Sequence, residues 1–219
     1  MTLIQTGIYL IAALVTIVAF YIQGEEFIRS MVRAQVVQSV LIAAISFIIG
    51  IIEASVDFFI LGVLIIILRG FLISYFLERR IPGKSSIKYE PNVNLAYYFL
   101  LDLVFIVISV FIIFYVVFSS FRVSGVLAGT EVLVFPLALF FQGLFLIASR
   151  KSTFTQIIGY VEEENGLVLF AIFLLPVPLI IEASVFLDVL ALVVITSIVV
   201  VEKQTHEKME ELKGRMRHT

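Results

Sequence analysis

Apolar residues run through this chain in blocks of about 20, the length a helix needs to cross the hydrocarbon layer of a bilayer, and short polar stretches separate the blocks. Read this way, the sequence predicts seven membrane spans, over about residues 3 to 22, 34 to 51, 54 to 77, 94 to 118, 128 to 148, 153 to 175 and 179 to 201. The longest polar interruption, Glu78 to Asn94, contains Pro82, Gly83 and Pro91 and is expected to be a water-exposed loop. The "PVP" at 176 to 178 predicts a tight helical hairpin turn. After Val201 the charges alternate in sign at helical spacing, Glu207 four residues before Glu211 and Lys203 one turn before Glu207, so residues 203 to 219 are expected to continue as a solvated cytoplasmic helix. The predicted fold is all-α: a polytopic membrane domain over 1 to 202 with a short helical tail.

Composition agrees and removes several function classes. The chain is 61% hydrophobic and 15% charged, outside the range of soluble domains. Residues 1 to 22 hold no basic residue, unlike a secretory signal, so the first span is expected to stay. Cysteine is absent and the two histidines, His206 and His218, lie in the tail. Iron–sulfur ligation, His-ligated haem, a Cys/His zinc site and thiol catalysis all lack their usual ligands. A carboxylate-only metal site stays open, but the acids are dispersed over several segments and no loop offers a hard-cation spacing. The "GKSS" at 83 to 86 lacks the glycine spacing of a phosphate-binding loop, and no nucleic-acid patch appears. No cofactor, metal or catalytic centre is expected on this chain.

With seven spans the loops fall into two sets. Of the 15 Lys and Arg residues, all but Arg122 and the intramembrane Arg69 belong to one set: Arg29 and Arg33, the 78 to 94 loop, Arg150 and Lys151, and the tail. The positive-inside rule then places the N-terminus outside and the C-terminus in the cytoplasm, in the plasma membrane of a prokaryote. The six residues "IIEASV" occur at Ile51 to Val56 and again at Ile180 to Val185. If this marks a duplication, halves 1 to 78 and 122 to 202 form a parallel three-helix repeat with a linking helix at 94 to 118. The abundance of Ile and Val leaves coincidence as the other reading.

The chemistry lies in charges inside the spans. Glu162, Glu163 and Glu164 are consecutive, and Glu164 lies 13 residues beyond Lys151, which is roughly 20 Å of helix and near mid-bilayer. Asp188 lies about 15 Å beyond Pro178. An acid at a helix centre costs about 2.5 to 3.5 kcal/mol on insertion scales, so three in a row are expected to share protons and to serve proton or ion movement; for Glu162 and Glu163, hydration through a water-filled cavity on the cytoplasmic side is the equal alternative. Gly159 and Gly166 flank them and would permit close helix approach. Arg69 and Asp102 match in depth and are expected either to form a buried ion pair or to join the relay. Glu53, Asp57, Glu131 and Glu182 lie toward the outer ends, where a solvated helix end competes with a relay role. Pro136 is expected to kink the fifth span.

The stretch "SRKSTFTQIIGYVEEENGLVLF", followed by "IIEASVFLDVLALVVITSIVV" and "MEELKG", resembles the C-terminal half of the hydrogenase-4 component E family, membrane subunits of formate hydrogenlyase-type complexes, and is similar to subunit K of complex I. "VQSVLIA" and Arg69, where the family tends to carry lysine, extend the likeness more loosely to the N-terminal half. The resemblance implies a non-redox membrane subunit that links a redox-driven module to antiporter-like subunits. It places Glu164 at the family's second-helix glutamate, one turn from the K-type position, here Val161, and Asp188 at the third-helix acid. Glu162 and Glu163 depart from the pattern. The partners implied are the other membrane subunits of such an assembly, together with the lipid bilayer. A structural membrane anchor and a standalone secondary transporter remain the competing readings; the transporter lacks matched Gly/Pro helix breaks in the two halves.

Overall fold

The computed structural model describes residues 3–80, 95–117, 130–174, 185–186, 188–190 and 193. Helix α1 is Leu3–Gly24, α2 Ile28–Ile52 and α3 Val56–Ile65. A π-helical stretch, Ile66–Ile73, joins α3 to α4, Ser74–Arg80. Helix α5, Leu95–Ile112, ends in π-helical Ile113–Val117; a 3-10 turn, Thr130–Leu133, leads into α6, Val134–Ser149, and α7 is Thr153–Leu174. The described residues are therefore all-helical, as the apolar blocks predict.

Among the described residues five helices are long and apolar enough to cross a membrane: Leu3–Gly24, Ile28–Ile52, Val56–Arg79, Ala96–Tyr115 and Glu131–Ser149. The 22-residue α7 is as long but carries the three glutamates. Most of the expected seventh span, the "PVP" turn, the 81 to 94 loop, Arg122, Glu182 and the tail lie outside the described residues, and so does the second "IIEASV" except Val185.

Helix α2 begins six residues before the predicted start at 34. Its first two turns are amphipathic: Ile28, Met31 and Val32 are buried while Arg29 and Arg33 face out, so apolar content alone missed them. Arg33 meets Glu78 of α4 at 3.9 Å, an exposed pair that marks the shared end of α2 and α4. At Pro136, where a kink is expected, the chain passes from 3-10 to α just upstream; proline supplies no N–H to an α ladder there.

Two tight turns connect the first three helices. Between α1 and α2, the Tyr21 hydroxyl donates to Glu25 Oε2 at 2.7 Å, and the backbone N–H groups of Glu26 and Phe27 donate to Glu25 Oε1 at 3.0 Å each. Burial pushes the Glu25 carboxyl up, but the hydrogen bonds from Tyr21, Phe27, Ser30 and Glu26 outweigh it and hold the group below the usual range. A depressed acid adds stability above its unfolded value and loses it as pH falls through its folded value. Acidification is therefore expected to loosen this turn, and Glu25→Gln to abolish that pH dependence, as read from exchange of the Phe27 amide corrected for its intrinsic rate.

The first "IIEASV" is the α2–α3 turn. Ala54 adopts φ 50°, and Ser55 N–H donates back to Gly50 O at 3.1 Å, the closure by which helices commonly end in a left-handed residue. A methyl-bearing residue is strained in that conformation. Ala54→Gly is expected to stabilise the protein by about 0.5–1 kcal/mol, seen as a higher melting temperature in detergent.

Packing divides the interior into three layers. One apolar cluster holds Val15, Ile42, Leu61, Ile65, Leu139, Val168 and Leu169; another holds Ile22, Val32, Ile73, Leu77, Leu146, Ile158 and Val161. On each of α2, α6, α7 and the α3–α4 span, the buried amide and charged side chains fall between the two: Gln35 and Gln38; Gln142; Glu162, Glu164 and Asn165; and Arg69.

Candidate functional site

Arg69 lies in the middle of the π-helical stretch and is fully buried. π-Helical turns are rare and concentrate at functional positions. The Arg69 carbonyl accepts the Ser74 hydroxyl at 3.2 Å.

The guanidinium fork reaches two other segments. Nε donates to Asp188 Oδ1 at 2.7 Å, and NH1 donates to Asn165 Oδ1 at 3.0 Å. NH2 stands 3.8 Å from Glu164 Oε2, close enough to pair electrostatically but beyond a hydrogen bond. Asn165 is oriented from its other side, its Nδ2 donating to Gln38 Oε1 at 2.9 Å, and Gln38 Nε2 in turn donates to Val15 O of α1 at 3.4 Å. One continuous polar connection thus runs α1–α2–α7–Arg69–Asp188. Since Asn165 and Gln38 each use both ends of their amide, the order of donors along it is fixed.

The structure therefore brings together Glu164, Asp188 and Arg69 of the predicted set. It corrects the expected pairing of Arg69 with Asp102, because Asp102 makes neither a hydrogen bond nor an ion pair to it; both Asp102 carboxyl oxygens are buried without a partner. Glu162 is fully buried, Glu164 and Asp188 are 1% exposed, and Glu163 is half-buried. Glu53 is exposed and Asp57 half-buried at the α2–α3 turn; Asp57, 12 residues before Arg69 in sequence, is roughly 18 Å from it along the helix. Glu131 is exposed and accepts the Tyr9 hydroxyl at 3.5 Å at the same end of the bundle.

Asn165 and Gln38 are functional candidates that the search for charges missed. Their signal was present: Gln35, Gln38, Ser39 and Ser46 recur at positions 0, 3, 4 and 11 of an otherwise apolar span, which is one helical face.

Helix α7 is held in place by glycines. A methyl group added at Gly166 would come within 2.7 Å of the Phe140 backbone nitrogen, and one at Gly159 within 2.9 Å of that of Ile147. Gly143 lies against the backbone of Glu163 itself. Small residues allow such backbone contact between membrane helices. At the basic end, Arg150 donates to Gln23 O at 2.5 Å and sits 4.8 Å over the Tyr98 ring, tying α6 to α1 and α5.

Among the described residues no three acidic or histidine side chains gather as metal ligands. No family model, curated protein or solved structure matches the chain.

Proposed function

We propose that this chain is a non-redox membrane subunit of a hydrogenase- or complex I-like respiratory assembly, in which the Arg69 site takes part in proton or ion translocation coupled to electron transfer in partner subunits. The observation that carries the reading is one buried guanidinium placed between two acids that it holds unequally, Asp188 by a hydrogen bond at 2.7 Å and Glu164 at 3.8 Å without one. Arginine keeps its proton under all physiological conditions, so only the acids can change charge. Arrival of a proton at Asp188 weakens its hold on Arg69 and turns the cation toward Glu164; departure reverses the step. A change of field from a partner subunit then biases which acid carries the proton. The resemblance to hydrogenase-4 component E, which singles out Glu164 and Asp188, supports the assignment of the assembly. Collection of Arg29, Arg33, Arg79, Arg150 and Lys151 near one end of the described bundle supports a cytoplasmic location for that end in a prokaryotic plasma membrane.

The direct Arg69–Asp188 pair also suits a second reading, a membrane anchor in which the ion pair staples the last segment to the bundle. Glu164→Gln in the assembled complex separates the two. It keeps the shape and removes the exchangeable proton, so ion translocation coupled to electron transfer is expected to fall at least about tenfold, or 1.4 kcal/mol on the rate-limiting step, while the complex still purifies intact. Undiminished translocation would leave the anchor as the function.

A further inference from the structure

Asp102 is a buried charge that the Arg69 site does not use. Tyr98 and Phe105 lie four residues before it and three after it, on one face of α5, and both rings pack on Phe145 of α6 with 5.5 Å between centroids. Phe105 also stacks on Phe141 at 6.0 Å. Asp102, set between them, therefore faces α6 along the turn from Phe141 to Phe145, the turn that carries Gln142. It is fully buried, and neither of its carboxyl oxygens has a hydrogen-bond partner.

Helix α1 closes the third side. Helices α1, α5 and α6 pack pairwise, and Phe99, next to Tyr98, stacks on Phe20 of α1 at 6.4 Å. Gln23, in the last turn of α1, joins two levels of this junction. Its side-chain nitrogen donates to Gln142 O at 2.8 Å, while its backbone carbonyl accepts Arg150 at the basic end of the bundle. Gln23 and Gln142 are fully buried, yet Gln23 Oε1, both polar atoms of the Gln142 side chain and Arg150 Nε have no partner among the described residues. Together with the Asp102 oxygens these are six buried polar atoms at the meeting of three helices, and buried polar groups in such number are ordinarily satisfied by ordered water. Helices α1 and α6 carry no charged residue and α5 carries Asp102 alone. Among the described residues Asp102 forms no ion pair, and a carboxylate with no cation beside it does not stay charged in so apolar a medium.

We infer that Asp102 is a second proton-binding carboxyl, reached from the basic end of the bundle through water held by Gln23 and Gln142 at the α1–α5–α6 junction. Binding is simple: one proton joins one carboxylate oxygen and leaves by the same route, and no other bond forms or breaks. The titratable neighbours are Tyr98, one turn away on α5, and Arg150 beyond it, 4.8 Å over the Tyr98 ring. A monovalent cation fits less well. It would engage the four oxygens of Asp102, Gln142 and Gln23 but leave the two donors, Gln142 Nε2 and Arg150 Nε, unsatisfied. The site shares no residue with the Arg69 site and does not depend on the translocation proposed there.

Deuterium uptake by the carboxyl tests this. The full chain in lipid vesicles, in sodium-free buffer at neutral pH, is transferred to deuterium oxide and followed by infrared spectroscopy, the Asp102 band being the protonated-carboxyl intensity that Asp102→Asn removes. The band is expected in wild type and is expected to shift on deuteration. Gln142→Met, which keeps the length of the side chain and removes its amide, is expected to slow that shift at least about tenfold, with backbone amide protection unchanged. No loss of intensity in Asp102→Asn would mean that the carboxyl is charged, and a wild-type band that resists deuteration would mean that no water reaches it; each overturns the proposal. A shift as fast in Gln142→Met as in wild type overturns the water route, and loss of the wild-type band on adding sodium chloride would make the ligand a metal cation and overturn proton binding. If Asp102→Asn does not insert, Asp102→Glu identifies the band by displacing it; if Gln142→Met does not fold, Gln23→Met is read in its place. Glu164→Gln is expected to leave the Asp102 band as it is, whatever it does to translocation.

Discussion

Arg69→Ala is expected to destabilise the folded protein by about 3–5 kcal/mol, the cost of removing one partner from a buried ion pair. The substitution leaves Asp188 and Glu164 in the bundle without their cation and frees the oxygen of Asn165. Equilibrium unfolding in mixed detergent micelles measures the loss. The decisive comparison is the double variant Arg69→Leu/Asp188→Leu, which removes the charge together with its closest counter-charge; it is expected to recover much of the stability lost by Arg69→Ala, because a dry apolar contact replaces a half-empty ionic one. A double variant no more stable than Arg69→Ala would show that the pair is not the source of the effect.

Gly143→Ala is the second large effect. The added methyl meets the backbone of Glu163 and the carbonyl of Gly159, neither of which can swing away as a side chain would. Overpacking costs about 1–3 kcal/mol, and an obstacle made of backbone puts this case at the upper end. Gly7→Ala provides the control, because nothing lies within 4 Å of a methyl placed there and alanine is the better helix former, by about 1 kcal/mol. The two variants are expected to move the unfolding midpoint in opposite directions.

How much of this could be read beforehand follows from what a sequence encodes directly. Apolar block length fixes α1 and, counted with their π and 3-10 ends, α5 and α6 to within a few residues, since nothing but a helix satisfies its backbone in lipid. It fails at the start of α2, where Arg29 and Arg33 share turns with buried Ile28 and Met31. Residue counting along a helix gives depth, and it places Arg69 and Asp102 at one depth. It does not give azimuth or neighbours: the cation of Arg69 is taken by α7 and Asp188, and the Asp102 carboxyl is buried without a hydrogen-bond partner. Asn165 and Gln38 escaped notice because neutral amides cost less to bury than charges, so they do not stand out in a hydropathy profile. The π-helical stretch left no sign of its own, with only Arg69 and Gly70 interrupting an apolar run.

That stretch makes the third span tolerant in one direction. Each of its turns accommodates more residues than an α-turn, so the segment between Ile66 and Ile73 contains slack that a straight α-helix would not have. Removing a residue there can be absorbed by reversion to the tighter coil, which preserves the flanking anchors Leu61 and Leu77 in their seats while swinging the guanidinium out of line with its acids. Insertion and integrity of the bundle are thus separable, by a single codon, from the alignment of its central charge.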